Sequence, residues 1–267
     1  MKNIPIFALE GAAFAGKTTV LNYLKTKYTD KVTTIPEASE YVGGDKNFPN
    51  APFKTLNEAK ASTYFFIELE KRRCRDAITS YIKTGLPVVM DRTTPVSSLF
   101  FYSLLAYDHP IDSTFINSYY RHALDAFQAQ VDAGNIFIPG GLIYLRPIDR
   151  TTFENRLVRG TKNTVFSKWE NYKFLDNKYQ SLIRFHYKNN HVLILDSQNT
   201  PKNLEQSAKN IIDFIGLVRP PFISDIFNTF LNKSKKSKLN ILSREEREFS
   251  KIMNYSRALM DKTNLKI

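Results

Sequence analysis

Short, unbroken apolar runs alternate with longer amphipathic stretches along this chain. Five runs carry the first pattern: IPIFAL at 4–9, VTTIP at 32–36, PVVMD at 87–91, GLIYLR at 141–146 and HVLILD at 191–196. Such β-branched and aliphatic runs, without polar alternation, suit strands covered on both faces. Between them apolar positions recur at helical spacing, most clearly over 55–84, where Leu56, Ala59, Tyr64, Ile67 and Ile78 are among them. Gly85 supplies a stop for that helix. Further helices are expected at 95–107 and 113–133, parted by DHPID, and residues 43–54, GGDKNFPNAPFK, read as a loop. Strands alternating with helices predict right-handed crossovers and a three-layer α/β sandwich around a parallel sheet.

The pattern changes at RPP, 219–221, which divides a domain at 1–216 from a basic, mostly helical C-terminal extension at 217–267. The net charge is +12, and from Arg219 onward 11 Lys and Arg against 5 Asp and Glu supply +6 of it. Such a balance favours anionic partners. The tail reads first as a solvated appendage, because Lys233, Lys235, Lys236 and Lys238 lack the interleaved aromatics of a nucleic-acid stacking platform. A single cysteine, Cys74, excludes an internal disulfide and a cysteine metal cluster. With no long apolar run and no apolar leader, the expectation is a cytoplasmic protein without a membrane partner.

The densest chemistry lies in EGAAFAGKTT, 10–19. Gly11, Ala12, Ala13, Phe14, Ala15, Gly16, Lys17 and Thr18 satisfy G-x-x-x-x-G-K-S/T residue by residue, with Thr19 following. A strand pattern precedes the motif and a helix pattern, VLNYLKTKY, follows it. In such a loop, glycines let backbone N–H groups turn onto phosphates, and the helix N-terminus adds its dipole. Lys17 is expected to reach the terminal phosphates of ATP, and Thr18 to offer a hydroxyl to Mg²⁺.

Three more stretches follow in order: TIPEASEYVGG, VVMDRTTPVSS and IYLRPIDRTTFENRLVRG. Together with EGAAFAGKTT they resemble the P-loop thymidylate kinase and deoxynucleoside kinase group over residues 1–216. The resemblance implies a five-stranded parallel sheet, an ATP donor, a nucleoside or nucleoside monophosphate acceptor and an arginine-bearing lid. Glu37 stands just past the second strand, where a carboxylate can take a proton from an attacking hydroxyl or hold a sugar hydroxyl. The resemblance makes it the base; a helix cap or surface acid is the alternative. Asp91 is a candidate for Mg²⁺ through water, and Arg92 for phosphate or acceptor oxygens, against a purely structural pair. Arg156 and Arg159, three apart with Lys162 beyond, are the candidate lid cations, against a solvated basic helix end. Gln198, in DSQNTP at 196–201, falls in the loop that would border the adenine.

On the acceptor side the resemblance points to the helix carrying STYFFIELEKRRCR, 62–75, with Tyr64, Phe65, Glu68 and Arg72 as candidates to line the pocket; the alternative for the aromatic stripe Tyr64 and Phe65 is core packing. Glu68 and Arg72 also read as an i,i+4 pair. Arg72 and Arg73 are placed to meet an acceptor phosphate or water, and Tyr41 with Gly43 and Gly44 to cover the acceptor. Tyr119, Tyr120 and Arg121 stand on another helix that could face it. Ala13 replaces the acid that thymidylate kinases usually carry in the loop, whereas Asp91-Arg92 is nearer their pattern than that of nucleoside kinases. The expected activity is therefore ATP- and Mg²⁺-dependent phosphoryl transfer to a nucleoside, nucleoside monophosphate or similar small acceptor. The rivals are a kinase for a non-nucleoside small molecule and a nucleotide-switched ATPase or binding protein. The long helices at 55–84 and 113–133 offer a face for a homodimer.

Overall fold

The computed structural model describes residues 5–11, 15–44, 47–49, 55–93, 113–157, 191–197 and 200–218, with scattered positions between 169 and 183. Five strands form one parallel sheet: β1 (Ile6–Glu10), β2 (Thr33–Ile35), β3 (Val88–Asp91), β4 (Gly141–Pro147) and β5 (Val192–Ser197). Each expected run yields a strand, with ends shifted by one or two residues. The shift at the first is consequential, because Glu10 is strand rather than loop.

The spatial order is β2-β3-β1-β4-β5. Chain order and spatial order together send the connection leaving β1 towards one side and the connection leaving β4 towards the other. The carboxyl ends of these two neighbours therefore flank a topological switch point, where open α/β sheets bind ligands. Phe7 pairs with Gly141, and a Cβ at Gly141 would sit 2.5 Å from the Phe7 ring. Glycine there leaves room for that ring, which meets Phe214 edge-on at 5.8 Å.

Helix α1 (Lys17–Lys27) ends with Lys25 and Lys27 in its last turn, a favourable place for cations. Its Val20, Leu21 and Leu24 pack on Phe7, Leu9, Val89, Ile143 and Leu145, which lie on one face of the sheet. Helix α2 (Leu56–Thr84) runs 29 residues and stops where expected, at Gly85. That glycine has φ 68, and its N–H bonds Tyr81 O at 2.7 Å, a left-handed C-terminal cap. Helix α3 (Ser113–Asp132) and helix α4 (Arg150–Leu157) follow. Helix α5 (Pro201–Leu217) begins with Thr200, whose side chain accepts from Asn203 N, and Pro201 in the first turn. Its Ala208, Ile211 and Ile215 complete the core beside α1.

The chain forms two compact units, one of Met1–Glu37, Arg75–Phe100 and Ile138–Phe222, the other of Ala38–Cys74, Phe101–Phe137 and Ile223–Ile267. The whole sheet belongs to the first. In the second, Phe65, Phe66 and Leu69 of α2 gather Ala38, Tyr41, Val42 and Phe48 into a small aromatic core. The helix expected at 95–107 and the extension from 219 lie outside the described residues. Among the described residues no helix is long and apolar enough to cross a membrane.

Candidate functional site

The first unit gathers its chemistry at the carboxyl edge of the sheet. Gly11 leaves β1 with φ 149, and a Cβ there would meet Leu145 O of β4 at 2.2 Å. Only glycine lets the chain pass so close to that carbonyl. Gly16 re-enters regular structure at φ 90 as the N-cap of α1, whose first turn carries no acid. Lys17 is the first helical residue, and its Nζ donates to Gly11 O at 2.8 Å. The ammonium is thus folded back over the start of its own loop. Burial, with help from the Arg92 guanidinium, pushes Lys17 down to about 8 against the raising influence of Asp91, Glu37 and Glu10. Thr18 and Thr19 stand exposed in the same turn.

Next to β1, β3 ends in Asp91, which is buried. Arg92 then takes φ 64, a left-handed conformation uncommon for a non-glycine residue. Its N–H still bonds Leu9 O at 2.9 Å. Glu10 Oε1 accepts from Thr93 N at 2.5 Å and from Thr93 Oγ1 at 3.0 Å. Glu10 is 1% exposed, and its Oε2 has no hydrogen-bond partner. Burial pushes its carboxyl up to about 7, against the lowering influence of Arg92, the Thr93 bonds and Lys17. Arg92 Nε lies 2.9 Å from Glu37 Oε1, with Glu37 still 29% exposed. Ile35 pairs with Met90, so β2 and β3 end side by side just before Glu37 and Arg92.

At the far side, Ser197 Oγ lies 3.0 Å from Ala15 O and 2.9 Å from Arg146 O, tying the end of β5 to the end of the loop. Ser197 is therefore buried strand, not part of an open loop after it. Arg146 and Asp196, register partners on β4 and β5, form an ion pair at 2.5 Å. Behind α4, Phe153 packs against Trp169 at 5.5 Å and Tyr172 at 5.1 Å; Trp169 and Tyr172 stack, and Lys173 lies over the indole.

Four expected residues are thus brought to one edge: Lys17 beside Asp91, and Arg92 paired with Glu37. Ala12, Ala13, Phe14, Arg159, Lys162 and Gln198 lie outside the described residues, as do the side chains of Arg156, Tyr119, Tyr120 and Arg121. The acceptor-side expectations change in the second unit. Glu68 is paired with Lys71, three residues on, at 2.5 Å. Arg73 meets neither water nor an open pocket: it is 2% exposed and bonded to Glu70 at 2.7 Å. Phe65 is core, whereas Tyr64 remains exposed and meets His122 edge-on. Tyr41 packs on the aromatic core from the short turn Ala38–Val42.

Sequence reasoning missed Glu10 and Thr93. The signal was present, since Glu10 is the one charged residue in IFALE, whose positions are all buried. Among the described residues no group of three or more His, Cys, Asp or Glu could hold a metal ion. Neither a family model nor a curated protein matches this chain.

Proposed function

We propose that the protein is an ATP- and Mg²⁺-dependent phosphotransferase of the P-loop kinase type, acting on a nucleoside, nucleoside monophosphate or similar small acceptor. What carries the reading is the buried Lys17 ammonium at the Gly11–Gly16 turn, on the same sheet edge as Asp91 and the Arg92–Glu37 pair.

Lys17 and the loop N–H groups hold the donor phosphates. Thr18, exposed at the start of α1, and Asp91, at the end of β3, fit a Mg²⁺ site. Bound there, the ion offsets charge on the donor phosphates. The edge needs it: Lys17 and Arg92 face three carboxylates, Glu10, Asp91 and Glu37, so the fixed side chains offer no positive excess. Glu37 accepts the proton of the acceptor hydroxyl, whose oxygen forms a bond to the γ-phosphorus. The bond to the β,γ-bridging oxygen breaks and ADP leaves. Arg92 pairs with Glu37 and places its positive charge beside the phosphate or acceptor oxygens. The candidate lid cations Arg156 and Arg159 add charge to the transferring group.

The test is ADP release from Mg-ATP, screened against nucleosides and nucleoside monophosphates, with Lys17→Ala as control. Stimulation by one acceptor that disappears in the variant establishes the kinase and names its substrate. A flat panel over slow, Lys17-dependent hydrolysis points instead to another acceptor or to a nucleotide-switched protein.

A further inference from the structure

We propose that Glu10 is a positioning residue, which grips Thr93 and thereby holds Arg92 in the left-handed turn that aims its guanidinium at Glu37. The inference rests on the reading of Arg92 and Glu37 as reacting-site residues.

A non-glycine residue keeps a positive φ only where its surroundings over-determine it. Here the grip comes from the last two residues of β1. Leu9 O takes Arg92 N, and the Glu10 carboxylate takes both Thr93 N and Thr93 Oγ1. β3 ends at Asp91, and the N–H that follows Arg92, that of Thr93, is taken by the Glu10 side chain. Asp91 is the register partner of Leu9, so in a continued strand Arg92 would project to the opposite face. The turn instead leaves its Nε on Glu37 of the neighbouring strand end.

The placement of Glu10 argues for that role over packing. Ile6, Phe7, Ala8 and Leu9 before it are all apolar and fully buried. Leucine or methionine would fill the fifth place without desolvating a carboxyl. Glu10 Oε1 makes two bonds to one residue while Oε2 makes none. Its evident work is therefore holding Thr93.

Glutamine and leucine at this position separate the bonds from the bulk. Glu10→Gln keeps a carbonyl oxygen for Thr93 N and Oγ1; Glu10→Leu keeps the volume and loses the acceptor. Crystal structures of both variants, with kcat, acceptor KM and Mg-ATP affinity, form the test. In Glu10→Leu, Arg92 is expected to leave positive φ and part from Glu37, with kcat falling about 100-fold. Mg-ATP affinity is read separately, because Glu10→Leu also removes a carboxylate that acts on Lys17. Glu10→Gln should keep the turn and most of the rate. An Arg92 still at positive φ on Glu37 in Glu10→Leu overturns the proposal. So does Glu10→Gln losing as much as Glu10→Leu. Should Glu10→Leu not fold, Thr93→Val against Thr93→Ser puts the same question, with rescue by serine expected. If the wild type transfers no phosphoryl group, the functional reading fails, and the Arg92 geometry still decides this proposal.

Discussion

Lys17 Nζ donates to Gly11 O at 2.8 Å, so the cation at the end of the loop is tied to the loop's first residue. The contact holds a buried ammonium against the residue that leaves β1. If the proposed donor binds there, it meets a charge already positioned.

Removing that charge should abolish tight nucleotide binding. Lys17→Ala is expected to weaken Mg-ATP by at least about tenfold, the scale of one charge-assisted bond. Lys17→Arg should not restore it, because a planar guanidinium cannot replace a compact ammonium here. Titration calorimetry on all three proteins reads both effects. An alanine variant binding like wild type would remove Lys17 from the site.

Glu10 and Lys17 make opposite contributions to stability across pH. The folded Glu10 sits at about 7 against 4.5, so in that window the folded state keeps a proton that the unfolded state has released. Its contribution to stability is lost as pH rises from 4.5 to 7. The folded Lys17 sits at about 8 against 10.5, so there the unfolded state binds the proton and stability rises with pH. These two groups together are least favourable between pH 7 and 8. Melting curves from pH 4 to about 11 should show the acid limb flattened in Glu10→Gln and the alkaline limb flattened in Lys17→Met. Unchanged limbs in both variants would contradict the assignment.

Arg92 should show a backbone effect separable from its charge. With φ 64 at that position, Arg92→Gly is expected to be about 1 kcal/mol more stable than Arg92→Ala. Both should lose phosphoryl transfer, since neither carries a guanidinium. Equal stability by urea unfolding would mean that the turn opens once the side chain is gone.

Gly11 should tolerate nothing larger. An added Cβ would lie 2.2 Å from Leu145 O at φ +149, where the obstacle is backbone of a central strand. Gly11→Ala should destabilise by about 3 kcal/mol. Gly85→Ala, at φ +68 with nothing within 4 Å, should lose only about 1 kcal/mol. Thermal denaturation of the pair separates collision from conformational strain.

The central strands β1, β3 and β4 were legible because burial on both faces erases polar alternation, and the part-exposed edge strands β2 and β5 because their short runs are rich in β-branched and aliphatic residues. Helix α2 was legible to within a residue, since Gly85 is a local stop. The strand-to-helix passage from Gly11 to Lys17 was legible because its flanking strand and helix patterns are local. The ion pairs were not. Arg92 meets Glu37, and Thr93 meets Glu10, only because β2, β3 and β1 lie side by side, and strand order is absent from the sequence pattern. Within α2 the Lys71–Glu68 pair is an i,i+3 contact, one of several that helical spacing leaves open. Glu10 was obscured by its place beside a strong motif, although one acid ending a buried strand is a signal in its own right.

Trp169, stacked on Tyr172 and packed against Phe153 of α4, is the only tryptophan in the chain. Its emission therefore reports on one place alone, the packing behind the helix that carries Arg156. The indole already has a neighbouring phenol and an ammonium 5.9 Å from its centroid, so a small change in α4 packing alters its surroundings. The protein thus carries an intrinsic optical probe of this helix, and ligand-driven movement there can be followed in real time without a label.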